Sequence, residues 1–314
     1  MHFPTAGIEV SWWIPPLVAL GVSFFTSMGG VSGAFLLLPF QMSALGYTAP
    51  SVSGTNQLFN IVAIPSGVYR YIREGRMVWP LTWVVIIGAL PGVLIGAVMR
   101  VAWLPDPRNF KFFAGLVLLY IGLRMARELL SRAKVMSKAG AEERFQELVR
   151  QHRARRERGE ALPGVSVQAF TLARIRYEFY GESYDFSTPG VLALSLIVGI
   201  VGGVYGIGGG AIMAPFFVTF FGLPVYTVAG AALMGTFITS VAGVAFYTAI
   251  APLYPGLSVA PDWGLGILFG LGGMAGMYLG ARCQKLVPAR YIRWMLAAVI
   301  TITAAGYVVG FFAR

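Results

Sequence analysis

The sequence is poor in cysteine, histidine and charge. Cys283 is the single cysteine in 314 residues, so an intrachain disulfide is excluded and thiol redox chemistry has no second thiol. The two histidines, His2 and His152, both lie outside the apolar stretches. Charged residues make up 12% of the chain, whereas a soluble domain carries about 25%. Hydrophobic residues make up 57%, and there are 40 glycines, a residue commoner in transmembrane than in soluble helices. Together these exclude a soluble globular domain and indicate an integral membrane protein. The N-terminus has no basic n-region, and Glu9 precedes Trp12 and Trp13, so it reads as an interfacial belt and not as a cleaved signal. A net charge of +11 would point to nucleic acid in a soluble protein. Here most Lys and Arg flank apolar spans, the pattern of positive-inside topology, and no nucleic-acid partner is expected.

Six clear apolar spans run near 51–72, 79–100, 109–130, 226–251, 263–281 and 291–312, each long enough to cross a bilayer core. Two further stretches, 12–45 and 188–222, are too long for one ordinary span and are interrupted by glycine. Residues 131–187 differ in kind: Arg and Lys alternate with Glu142, Glu143, Glu147 and Glu157, which predicts a solvated, charged helical linker in the cytoplasm. Within it, FTLARIRYEFY (170–180) mixes aromatics with Arg and reads as a membrane-surface segment. The domains are therefore transmembrane repeat 1 (12–130), the linker (131–187) and transmembrane repeat 2 (188–314).

The two membrane halves are copies. With Gly30 set on Gly206, Gly33 meets Gly209, Pro39 meets Pro215, Gly54 meets Gly230, Gly67 meets Gly243 and Tyr71 meets Tyr247. After an insertion near 252–259, Gly88, Gly92 and Gly96 meet Gly272, Gly276 and Gly280. Two topologies are compatible with this: parallel repeats of four spans, or inverted repeats of a re-entrant hairpin plus three spans. The inverted form keeps Arg282, Lys285, Arg290 and Arg293 inside with 131–187, at the cost of placing Arg100, Arg108 and Lys111 outside. The predicted fold is an all-α integral membrane protein of two inverted repeats, each with a Gly-broken re-entrant helical hairpin and three transmembrane helices.

Irregular backbone at membrane depth persists only where protein buries it or a cavity meets it. A half-helix N-terminus carries free N–H groups suited to an anion. Gly208, Gly209 and Gly210 before a half-helix at 211–221, and Ser32, Gly33 and Ala34 before one at 35–45, therefore read as two facing anion cradles. Tight small-residue helix packing is the competing explanation. In SVSGTNQLFN, Ser53, Asn56, Gln57 and Asn60 share one helix face that must point inward, and Thr236, Thr239 and Ser240 form a smaller polar face in repeat 2. The span interiors hold no Asp or Glu, so proton relays and cation sites are not expected there. Two enzyme-like motifs fail. Gly206-x-Gly208-x-x-Ala211 lacks the preceding strand and following acid of a dinucleotide site. Gly30-Val31-Ser32-Gly33 lacks the intramembrane histidine that an intramembrane serine protease needs.

GGVSGAFLLLPF (29–40) and YGIGGGAIMAPF (205–216), with SVSGTNQ (51–57) and AGAAL (229–233), resemble the TauE/SafE family of sulfite exporters, also called 4-toluene sulfonate uptake permeases. The resemblance covers both repeats. The first copy departs from the second in having Ser32 and Ala34 where the second has Gly208 and Gly210. It implies a plasma-membrane transporter of sulfite or small organosulfonates, with no cofactor and with a small anion and the lipid bilayer as partners. Transport of another small organic anion, or a scaffold role for 131–187, are the alternatives.

Overall fold

A computed structural model describes residues 1–29, 32–73, 77–130, 147, 165–179, 182–209, 212–221, 223, 225–283 and 289–313. Gly210 and, apart from Glu147, the charged stretch 131–164 lie outside the described residues. Repeat 1 contains α1 (Ile14–Gly29), α2 (Ala34–Ser43), α3 (Ser51–Ala63), α4 (Pro65–Arg73), α5 (Trp79–Ala102) and α6 (Pro107–Leu130). Repeat 2 contains α7 (Thr188–Tyr205), α8 (Met213–Phe221), α9 (Val225–Ile250), α10 (Trp263–Cys283) and α11 (Ala289–Phe312). Among the described residues, five helices are long and apolar enough to cross a membrane: Trp79–Ala102, Thr188–Tyr205, Val228–Leu253, Trp263–Gly280 and Tyr291–Phe312. The span expected at 51–72 is broken at Ile64, because Pro65 at the start of α4 cannot donate the next helical hydrogen bond. Its counterpart α9 has no proline there and runs unbroken.

Lipid supplies no hydrophobic drive between helices, so close backbone packing must do so. Glycine ladders provide it here, and each joins one repeat to the other. Gly88, Gly92 and Gly96 of α5 press on the backbone of Leu192, Leu196 and Ile200 of α7. Gly272, Gly276 and Gly280 of α10 press on Pro16, Leu20 and Phe24 of α1 in the same order. Both pairs run in the same direction. The pairs made of sequence-matched helices run oppositely. In α6 and α11, Gly115 meets Ala304 and Tyr307 while Gly122 meets Ile300 and Thr301. In α3 and α9, Gly54 meets Tyr247, and Asn60 bonds Ser240. The correspondence reaches single residues: Gly54 packs on Tyr247, and its match Gly230 packs on Tyr71, the match of Tyr247.

Helices α7 and α8 form a hairpin. From Met213, whose sulfur accepts from Ser195 Oγ at 3.7 Å, α8 returns to the start of α7, where Phe221 covers Gly190. Residues 165–187 depart from the helical expectation. They form an antiparallel sheet, β1 (Val165–Phe170), β2 (Arg174–Phe179) and β3 (Glu182–Ser187), in that order. Period-2 alternation explains it: Ile175, Tyr177 and Phe179 point inward while Arg174 and Arg176 point out and pair with Asp185, both at 3.0 Å. Those two guanidinium groups hold the Asp185 carboxyl below its ordinary range. Phe186 meets Phe221 edge-on, so the sheet sits at the return end of the hairpin.

At the opposite end, Asp262 caps α10 through Leu265 N–H at 2.9 Å and accepts Ala6 N–H from the N-terminal strand pair. Arg100 is fully buried there. Its guanidinium donates to Leu104 O and Thr48 O and stacks 3.7 Å from the Phe110 ring centre. Both Nη groups go to local carbonyls while Nε has no partner among the described residues, and this local engagement removes Arg100 as a topology signal. Arg108 likewise donates to Phe311 O at the end of α11. Glu128, near the end of α6, pairs with Arg124 at 3.6 Å.

Candidate functional site

Helix α3 is surrounded by α2, α7, α9, α10 and α4, and its polar face is enclosed: Ser53, Asn56, Gln57 and Asn60 have no exposure. A buried amide must find partners, and these find them at the two helix breaks. Asn56 Nδ2 donates to Ala34 O at 3.1 Å, just past the first break, and Asn56 Oδ1 accepts from Gln41 of α2 at 3.4 Å. Ser53 Oγ donates to Val204 O at 2.8 Å, and Asn60 Nδ2 donates to Ile207 O at 3.0 Å, both at the second break. One helix therefore grips both interruptions.

The second break is a helix C-terminus whose last carbonyls have lost their intrahelical donors. Gly206 (φ +85°) and Gly208 (φ +74°) take left-handed conformations that favour glycine. Gly206 and Ile207 N–H groups return to Gly202 O. Tyr247 of α9 donates to Gly203 O at 3.1 Å, completing the capping begun by Ser53. Gly209 N–H, expected as an open anion donor, is engaged by Thr239 Oγ1 at 2.9 Å. A Cβ on Gly209 would lie 2.6 Å from Ala89 Cβ of α5, so this glycine also serves helix packing. Thr236 and Thr239 bond back to Ala232 O and Gly235 O within α9. Ser240 Oγ accepts from Asn60 at 3.3 Å. The half-helix α8 is Met213–Phe221.

At the first break, Ser32 Oγ accepts Ala34 N–H at 3.3 Å, and Gly33 is buried against Ser23, Thr26 and Phe59. Tyr205 of α7 donates to Phe35 O at 2.9 Å and ties the breaks together. The predicted residues thus converge on α3 and the breaks, with Gly210 outside the described residues. Gln41 and Ser23 were missed. Gln41 was findable, being the lone amide in the apolar run AFLLLPFQMS.

Several buried atoms at the site have no hydrogen-bond partner among the described residues: Gln57 Nε2 and Oε1, Asn60 Oδ1, Gln41 Oε1 and Ser23 Oγ. Gln57 lies so close to α9 that a Cβ on Gly243 would overlap its amide. An unsatisfied buried amide costs about 1–3 kcal/mol, so Gln57 is the group that a bound solute would relieve most.

A family model described as Sulfite exporter TauE/SafE matches residues 16–307. Over 219 residues the chain is 26% identical to "Probable membrane transporter protein YunE" of Bacillus subtilis (strain 168), covering 66% of this chain and 68% of that protein. No solved structure matches the chain. A match across both repeats, a transporter relative and a bundle of apolar helices closed around a polar core make this a multi-pass membrane transporter that belongs to the sulfite exporter TauE/SafE family.

Proposed function

We propose that the protein carries a small sulfur oxyanion, sulfite or a small organosulfonate, across the bacterial membrane, in the direction of export. The observation that carries this reading is the α3 face: a neutral, amide-lined surface that touches both helix breaks and leaves Gln57 unpartnered. A site with no buried carboxylate among the described residues suits an anion better than a cation. The substrate class rests on the family to which the chain belongs.

The halves are read as inverted repeats. Support comes from the matched helices, since α6 against α11 and α3 against α9 run antiparallel, as a two-fold axis in the membrane plane requires. The end of α6 lies beside the start of α11, where Met125 packs with Ile292 and Leu296. That favours one side, the cytoplasmic one, for 131–187 and 282–293. Alternating access then cannot be a rocking of repeat 1 on repeat 2, because the glycine ladders lock α5 to α7 and α10 to α1. The bodies that move are of mixed parentage, with α3 and α9 between them.

Sulfite flux into proteoliposomes tests the reading. Saturable flux that other sulfur oxyanions inhibit supports it. Saturable flux of carboxylates alone would replace the substrate, and no flux of any anion would favour a scaffold role.

A further inference from the structure

The free polar atoms at the site are unevenly matched, and the mismatch constrains the solute. Three are amide oxygens, which only accept: Gln41 Oε1, Gln57 Oε1 and Asn60 Oδ1. Two of these orientations are fixed by the network. Gln41 Nε2 is committed to Asn56, and Asn60 Nδ2 to Ile207 O and Ser240 Oγ, so their oxygens must face away from those partners. The free side-chain donors of the site, among the described residues, are Gln57 Nε2 and the Ser23 hydroxyl. Two backbone N–H groups at the breaks are already taken, Gly209 by Thr239 and Ala34 by Ser32. Arg100 is held by Leu104 O and Thr48 O and offers the site no ion pair.

A bare oxyanion brings acceptors only. It would satisfy Gln57 Nε2 but set its own oxygens against three others, each stripped of water. A solute with one charged oxyanion end and a donor at the other would answer both kinds of atom. A cation is the other candidate for free oxygens. Hard cations take six or more oxygen ligands, usually with carboxylates, and no carboxylate joins this set.

We propose that the transported solute is a small monoanion that carries its own neutral hydrogen-bond donor, a hydroxyl group, with Gln57 reading both ends of that donor–acceptor pair. This rests on the anion reading above and narrows it.

The test uses the purified full-length protein and matched ligand pairs differing by one donor: 2-hydroxyethanesulfonate against ethanesulfonate, and glycolate against acetate. Affinities come from thermal shift titrations. The hydroxylated member should bind about tenfold more tightly or better, the worth of one net buried hydrogen bond. Gln57→Met should bring the ratio close to one without lowering the unfolding temperature, because Gln57 gives up no bond. Equal affinity within both pairs overturns the proposal. So does sodium chloride alone raising the unfolding temperature above that in the choline salt, since the oxygens would then serve a cation. Discrimination between the carboxylates with no binding of either sulfonate would sink the sulfur-oxyanion reading while keeping the donor rule. No binding by any of the four counts against both.

Discussion

Helices α3 and α9 hold matched positions when the two halves of the sequence are aligned, yet they differ in chemistry. Where α3 carries Ser53, Asn56, Gln57 and Asn60, the matched positions of α9 carry Ala229, Ala232, Leu233 and Thr236. Around them the scaffold is close to symmetric, down to Gly54 on Tyr247 and Gly230 on Tyr71. Backbone packing has been kept in both copies, and polar chemistry has been concentrated in one. Helices that meet at glycine tolerate no side chain at the contact, so the ladder is under the same steric constraint twice. A solute needs only one set of polar contacts, and every additional buried amide costs stability unless it is satisfied.

Breaking the symmetric part should have the largest effect. Gly92→Val and Gly276→Val put Cβ atoms into the backbone of Leu196 and of Leu20. Overpacking of this kind costs about 1–3 kcal/mol or more, and both should fall by similar amounts in thermal unfolding. One variant folding normally while its match does not would show that the ladders are not equivalent.

The asymmetric part should respond unequally. Asn60→Leu strands Ile207 O at the second break and should cost about 1–3 kcal/mol together with most of the flux. Thr236→Val, its match, removes only a bond within its own helix and should cost less than about 1 kcal/mol. Reversed losses would move the site to α9. Smaller again is the contrast between the glycines that precede the half-helices. Gly209→Ala meets Ala89 Cβ at 2.6 Å, whereas Gly33→Ala meets the Ser23 hydroxyl at 2.8 Å, which can turn aside. Unfolding temperature should fall more for Gly209→Ala, which would mark that glycine as a packing residue.

These contrasts also separate what could be read from the sequence from what could not. The repeat was legible because Gly88, Gly92 and Gly96 recur with their spacing at 272, 276 and 280. Their partners were not legible, since spacing defines a small-residue face and says nothing about which helix lies on it. The inward face of α3 was legible from the cost of burying amides. That Ser53 and Asn60 would close the carbonyl end of α7 was not, because it depends on where a distant break comes to rest. The cluster Gly206, Gly208 and Gly209 was legible as a break. Read as open N–H donors, it was misjudged at Gly209, whose N–H is already bound. In 165–187 the alternation RIRYEF carried the strand signal, but the high charge of the preceding stretch drew it into a helical reading.

On the proposed reading, Gln57 is kept polar for a solute, while its match Leu233 is kept apolar for packing. Flux of 2-hydroxyethanesulfonate and unfolding temperature, measured on Gln57→Met and Leu233→Met in the same proteoliposome preparation, decide whether this holds. Gln57→Met should lose about tenfold or more in flux with an unfolding temperature at or above that of the wild type, since it replaces an unsatisfied amide with an apolar side chain of similar size. Leu233→Met should change neither by much. Wild-type flux from Gln57→Met would contradict the claim and make the amide face of α3 a packing surface.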